Sequence, residues 1–209
     1  MVNTVSQDVR HPTAASLLER AVEVIDASGE QAVRVEEISA HCKVSITSLY
    51  HHFGNREGLI EAAQAERFVR TSRRNIERFV AEVDAVLSID ELRSLIARWV
   101  AGLVSGAAAP IRQVRAQVLA SALTRPKLRD RVMELNRAQF DRIAEVLARA
   151  QGRGLLDGSL DVRATAVTFT CLAFGRVVAE ADPTDGPDTE EFYTAFAVAS
   201  IDQLLFGKN

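Results

Sequence analysis

From Thr13 to Phe206 the apolar residues recur at spacings of three and four, and no stretch alternates apolar with polar residues as a half-buried strand does. That periodicity restricts the chain to helix packed on helix. Local signals predict about nine helices. Pro12 and Thr13 open the first, with Leu17, Leu18, Ala21, Val24 and Ile25 as its apolar face, and "SGE" at Ser28 to Glu30 stops it. Short helices follow near Val35–Cys42 and Ile46–Phe53. Asn55 caps a long fourth helix expected to run from Arg56 to about Ala85. "SIDE", Ser88 to Glu91, is a capping box for a fifth helix through Leu103. Pro110 and Pro126 sit where prolines open helices six and seven, the latter ending near Gln151. "GRGLLDGSLD" and "DPTDGPD" read as loops around an eighth helix, Val162–Ala181, and Thr189–Phe206 is a ninth. The expectation is an all-α protein. Residues 10–55 form a small domain containing a helix-turn-helix, and residues 56–209 form a larger helical domain.

Apolar residues make up 47% of the 209, enough to bury a core. The start, "MVNTVSQDVRHP", has no apolar leader, and the longest uncharged apolar run, Ala164–Gly175, is shorter than the ~20 residues a membrane span needs. A cytoplasmic protein is expected. Cys42 and Cys171 sit inside apolar helical patterns and read as small buried residues rather than a disulfide. His51-His52 and His41-Cys42 are adjacent pairs that point about 100° apart on a helix, so no metal site is expected. No catalytic motif and no cofactor motif is present, and the expectation is a protein that is not an enzyme.

The net charge of −3 gives no general attraction to polyanions. Charge is nevertheless distributed unevenly. Between Glu37 and Glu57 there is no acid, while Lys43, Arg56, His41, His51 and His52 all fall there. Ile38 and Cys42 on the second helix can share one buried face with Val44, Leu49 and Phe53 of "VSITSLYHHFGNRE", with Ser45 as N-cap. Thr47, Ser48, Tyr50, His51 and His52 must then face outward. These groups hydrogen-bond to phosphates and base edges and do not repel a duplex. A short helix held by a neighbour through a tight turn fits the major groove, and the amides at the start of the fourth helix, beside Arg56, form a phosphate anchor.

The stretch "VEEISAHCKVSITSLYHHFGNREGLI", Val35 to Ile60, resembles the TetR family of bacterial transcriptional regulators in its isoleucine-alanine helix, valine-serine turn, "LYxxF" helix and Asn-Arg-Glu-x-Leu continuation. The resemblance implies a DNA-binding regulator, a repressor released from a palindromic operator by a small molecule. The alternative is a helical small-molecule-binding protein without DNA-binding activity. The implied partners are double-stranded DNA, an unidentified effector, and a second copy of the chain through the last two helices. Two departures are visible. Lys43 stands where the family has a turn glycine, so it must take a left-handed conformation or a different turn. Ile46 and Thr47 stand where lysine-glycine is common, and Ile46 can meet a thymine methyl.

The expected DNA-contacting set is Lys43, Ser45, Ile46, Thr47, Ser48, Tyr50, His51, His52 and Arg56, with Thr13 and Arg34 as further backbone candidates. Arg67, Arg70, Arg73, Arg74 and Arg78 read as a solvated face of the fourth helix. For a ligand pocket among helices four to eight, the candidates are Phe68, Phe79, Trp99, Gln117, Met133, Asn136, Phe140, Phe169 and Cys171. Each has core as the competing reading. Trp99 and Asn136 bring polar groups that need partners if buried.

Overall fold

The computed structural model describes residues 12–182 and 186–207, without the side chains of Pro12 and Arg74. Arg10, the middle of the second loop at 183–185 and the contribution of Arg74 to the arginine row therefore lie outside the described residues. All regular structure among the described residues is helical. The N-terminal part comprises α1 (Pro12–Ser28), α2 (Val35–His41) and α3 (Ile46–Phe53). It continues into α4 (Arg56–Arg70), α5 (Arg73–Ala85), α6 (Ile89–Val104), α7 (Ala109–Ala122), α8 (Pro126–Gly152), α9 (Val162–Gly175) and α10 (Pro187–Phe206). Short 3-10 turns occupy Glu30–Ala32, Gly106–Ala108 and Arg176–Ala181.

The helix ends follow the cap chemistry. Gly29 takes φ 78° after α1, a conformation that glycine adopts at no steric cost. The Ser45 hydroxyl accepts from the Ser48 amide at 3.1 Å, and the Asn55 side chain accepts from the Gly58 amide at 2.8 Å. Ser88 accepts from the Glu91 amide at 3.2 Å. The Glu91 carboxylate reaches back one residue further than a reciprocal capping box, to the Leu87 amide at 2.7 Å.

The long fourth helix of the sequence reading is two helices. Thr71 Oγ1 donates to the Phe68 carbonyl at 2.6 Å and Ser72 Oγ to the Val69 carbonyl at 3.4 Å. Hydroxyls that bond back to the preceding turn compete with the helical ladder, and here α4 ends and α5 begins. The eighth predicted helix also changes character, tightening into the 3-10 turn after Gly175. As one helical stretch, Val162–Ala181 has mean hydropathy 1.4 and is long and apolar enough by composition to cross a membrane. It packs on α8 and α6, and Arg176 near its end pairs with Glu180 and Glu190.

Three apolar cores organise the packing. The first gathers Leu17, Leu18 and Ile25 of α1, Ile38 of α2 and Leu49 of α3, and it also takes in Leu59, Ile60 and Ala63 of α4. Eight-residue α3 is too short to hold itself in water. Leu49, fully buried, anchors it, a side chain contributing about 2 kcal/mol of burial. The second core is a seam: Phe68 of α4, Val118 and Ala122 of α7, Leu128 and Val132 of α8. The third and largest runs through α5, α6, α8, α9 and α10.

Polar clasps cross the seam. Arg67 is buried and donates to Asp26 of α1 at 2.7 Å, Gln64 at 2.8 Å and Gln117 of α7 at 2.9 Å. Arg67 is thus a correction to the solvated-face reading of the arginine row, because these acceptors draw its guanidinium inward. Arg70 pairs with Glu19 and Glu66, Arg73 with Glu77, and Arg78 with Glu82. Glu30, in the turn after α1, receives hydrogen bonds from Gln64 and from Ser121 at the end of α7, and pairs with Arg125 at 2.9 Å.

Candidate functional site

The bend between α2 and α3 is made by main-chain bonds: Lys43 N donates to Ala40 O at 3.1 Å and Val44 N to Ser39 O at 2.9 Å. Lys43 takes φ 55°, the first of the two options open to it, and its side chain is exposed. With Leu49 inward and Val44 and Phe53 packed beside it, the opposite face of α3 points to solvent. Ser45, Ile46, Thr47, Tyr50 and His51 are exposed, while Ser48 and His52 are half-buried. Ile46 and Tyr50 keep 38% and 43% of their surface, large values for residues of that size, so none of the described residues covers this face. His51 and His52 touch edge to face at a ring separation of 5.4 Å. Ser45 accepts from its own helix, yet its O–H still has a proton to donate outward.

Arg56 behaves differently. Its Nε donates to Val33 O and its Nη2 to Glu30 O, both at 2.9 Å, and its Nη1 pairs with Glu57 at 3.0 Å. The side chain braces the turn after α1 against the start of α4. Arg34 likewise donates to the Gln31 and Val33 carbonyls.

A second feature lies in the larger domain. A cavity of about 100 Å³ opens between α5, α6, α7, α8 and α9. Its wall is mostly apolar and includes Phe79, Trp99 and Phe169. The Phe79 ring meets Trp99 edge-on at 5.4 Å and stacks with Phe169 at 6.3 Å. Two arginines of α7, Arg112 and Arg115, reach the same wall.

Residues 17–63 match the family described as bacterial regulatory proteins, tetR family. The transcriptional regulator UidR of Escherichia coli K12 is 21% identical over 179 residues, 86% of each chain. A solved structure of a TetR-family regulator from Rhodococcus sp. is 25% identical, covers 92% of this chain and 98% of its own, and superposes with a TM-score of 0.63. The Bacillus subtilis regulator FadR, solved in complex with stearoyl-CoA, is 16% identical, with a TM-score of 0.56 over 93% of this chain and 99% of its own. Residues 17–63 carry a TetR-family DNA-binding domain. The chain is a helix-turn-helix transcriptional regulator.

In the larger domain the predicted pocket residues scatter. Phe79, Trp99 and Phe169 line the cavity. Asn136 stands just behind the wall, its Oδ1 accepting from Arg115 at 3.0 Å. Phe68 is buried in the seam core beneath the Arg115 guanidinium, 4.2 Å away. Gln117 is exposed and accepts from Arg67. Phe140 is half-buried on α8, with Arg163 at 5.7 Å from its ring. Met133 is exposed. Cys171 is also exposed, a correction to its reading as buried, because it lies on the face of α9 turned away from the protein. Cys42 is half-buried, its thiol 3.5 Å from the Ser16 carbonyl. Trp99 finds the partner it needs in Glu82, at 2.9 Å. Sequence reasoning missed Arg112, Arg115, Asn75, Thr71 and Gln139. The hydroxyl pair at Thr71 and Ser72, a local helix-breaking signal, pointed to the first contour of this wall.

Proposed function

We propose that this regulator is a repressor that binds a palindromic operator as a dimer and is released by a small molecule held in the α5–α9 cavity. The observation that carries the DNA-docking assignment is the outward face of α3: exposed, free of carboxylates, and fixed by a dry core behind it. Thr47, Ser48 and His51 read base edges and Ile46 meets a thymine methyl. Ser45, Tyr50, His52 and Lys43 hold phosphates. Residues 10–55 form the docking unit and the chain from residue 56 the effector and dimer unit, with α4 shared by both. Arg56 serves here as a brace rather than a direct phosphate contact, because its guanidinium already holds two carbonyls and a carboxylate.

The dimer reading rests on an apolar surface that a single chain leaves uncovered. On α10, Phe192 and Phe196 are 74% and 55% exposed, one helical turn apart. On α9, Ala164, Thr168, Cys171 and Gly175 form an exposed strip of small residues. Small residues admit close helix approach, and aromatic residues fill the remaining space. Two copies joined there present two α3 helices, which must sit about 34–36 Å apart to enter successive major grooves.

Release follows from connection. Thr71, at the α4–α5 break, lines the cavity, and α4 runs from there into the core that holds α3. α7 carries cavity residues at one end and Ser121, bonded to Glu30, at the other. A ligand that moves either helix changes the spacing of the two α3 helices. A coupling of ~1–3 kcal/mol changes operator affinity ~5–150-fold. That FadR of Bacillus subtilis carries an acyl-CoA supports a ligand-holding role for a protein of this fold.

The test is a mobility shift with the DNA immediately upstream of the gene. Tyr50→Phe is expected to weaken binding to all operator variants alike, and Thr47→Ala to change base preference. Identical losses across every variant for both substitutions contradict the division of roles.

A further inference from the structure

Arg112 and Arg115 are one helical turn apart on α7, and both reach the cavity wall. Both are buried, at 3% and 8% exposure. Their surroundings differ in one respect. Arg112 is neutralised: Glu180 takes it bidentately, and the Leu103 and Ser105 carbonyls each accept one more of its protons. Arg115 meets only neutral oxygens: Asn136 Oδ1 at 3.0 Å, Gln139 Oε1 at 3.3 Å and Thr71 Oγ1 at 3.4 Å. Among the described residues no carboxylate pairs with it. Its Nε–H and one Nη2 hydrogen have no protein acceptor among those residues. Burial alone draws its pKa down from 12.5 to about 10, so the group still carries its charge at neutral pH.

A buried cation without a counter-charge is costly, and a guanidinium with free donors is suited to a planar or tetrahedral anion. The remainder of the wall is aromatic and aliphatic: Phe79, Trp99, Phe169, Ile76 and Ile111. We propose that the cavity takes an amphipathic small molecule, an apolar body ending in one compact anionic head, and that Arg115 binds the head. The proposal rests on the ligand-release reading only for the consequence of binding, not for the binding itself. It also gives the ligand a direct route to the lever. The head binds a guanidinium that lies 3.4 Å from Thr71 Oγ1 at the α4–α5 break and over the ring of Phe68, the last large core residue of α4.

Trp99 is the one tryptophan in the chain and lies in the cavity wall, so its fluorescence reports occupancy directly. The full-length protein is titrated with octanoate, octyl phosphate and octan-1-ol, which share a body and differ in the head. At least one anion is expected to bind ~10-fold or more tightly than the alcohol, and the tighter anion names the head group. Arg115→Gln is expected to reduce that preference below about threefold while leaving alcohol affinity unchanged. Arg115→Lys, which keeps the charge but not the fork, is expected to fall between. Equal affinity for anions and alcohol in the unaltered protein overturns the proposal without recourse to any variant. So does a preference that survives Arg115→Gln, or a Trp99 signal that responds to none of the three. Operator release is followed in parallel. An anion that binds through Arg115 without releasing DNA upholds the anion site and overturns ligand release. An alcohol that releases DNA as well as either anion does the reverse.

Discussion

Both ends of the molecule leave large side chains in solvent, and the two exposed surfaces are chemically opposite. On α3, Ile46 and Tyr50 stand among hydroxyls and imidazoles, with no carboxylate on the helix. On α10 and in the 3-10 turn after α9, Phe192, Phe196 and Val178 stand beside the small residues of α9, Val178 at 78% exposure. The first surface is stable in water as it is, and its polar groups are suited to a polyanion. The second is less suited to water: large apolar side chains left exposed near one another are what a second apolar surface can cover. The charge balance of −3 describes neither surface, because acids are missing from one and polarity from the other.

The contrast is broken most decisively at the apolar end. Phe192→Asp with Phe196→Asp places two charges on the exposed strip without touching a buried side chain. Sedimentation equilibrium is expected to show a monomer with unchanged helix content. Operator affinity is expected to fall ~10²–10⁴-fold, because two linked half-site contacts become one. A variant that remains dimeric places the pairing surface elsewhere.

The next effect lies between the two ends. Arg67→Met removes a buried guanidinium that links α1, α4 and α7 and leaves Gln64, 2% exposed, without its donor. Asp26 on the other side is half in solvent, so the loss is smaller than for a fully buried pair. The expected cost is ~2–3 kcal/mol, or ~4–12 °C in Tm for a chain of this size. A change under ~1 °C means that the clasp contributes nothing net.

Glu30 supplies a smaller, pH-dependent link across the same seam. Burial raises its pKa, but hydrogen bonds from Ser121 and Gln64 and the charge of Arg125 outweigh this and hold it below the usual carboxylate value. A depressed folded-state pKa gives stability that is present above the unfolded value, near 4.5, and lost as pH falls through the folded value. Glu30→Gln is therefore expected to cost ~1 kcal/mol at pH 7. The difference from the unaltered protein should shrink as the pH is lowered below about 4.5 in urea-denaturation series. A difference that is constant with pH means that charge plays no part in the link.

How much of this was legible in the sequence depended on the range of the forces involved. Ser45, Asn55 and Ser88 cap the helices they precede, because a cap is a contact within three residues. The all-helical architecture and the outward polar face of α3 followed from periodicity. The divided fourth helix was missed because its apolar spacing continues through Thr71 and Ser72, while the hydroxyls that interrupt it act on the backbone. The cavity was only partly legible. A core, a cavity wall and a dimer face all ask for apolar residues at the same spacing. Phe68 and Phe79, with equal claims in the sequence, therefore separate into seam core and cavity wall, and Cys171 turns outward. The arginines were least legible. Whether Arg56, Arg67, Arg112 or Arg115 meets solvent, a carboxylate or neutral oxygens depends on residues up to 68 positions away.

The smallest effect returns to the DNA end, where one residue links backbone strain to recognition. Lys43 is the one residue other than glycine with positive φ among the described residues, and a side chain there costs ~1–2 kcal/mol relative to an ordinary conformation. Lys43→Gly relieves that strain but frees the unfolded chain, so the net gain in stability is expected to be ~0.5–1 kcal/mol. If Lys43 also holds a phosphate, the same variant binds all operator sequences more weakly, and the slope of log affinity against log salt falls by about one. The two readouts are independent. A more stable protein with an unchanged salt slope makes Lys43 a strained turn residue with no part in docking. A reduced slope without added stability means that the turn was never strained and that the lysine is kept for its charge.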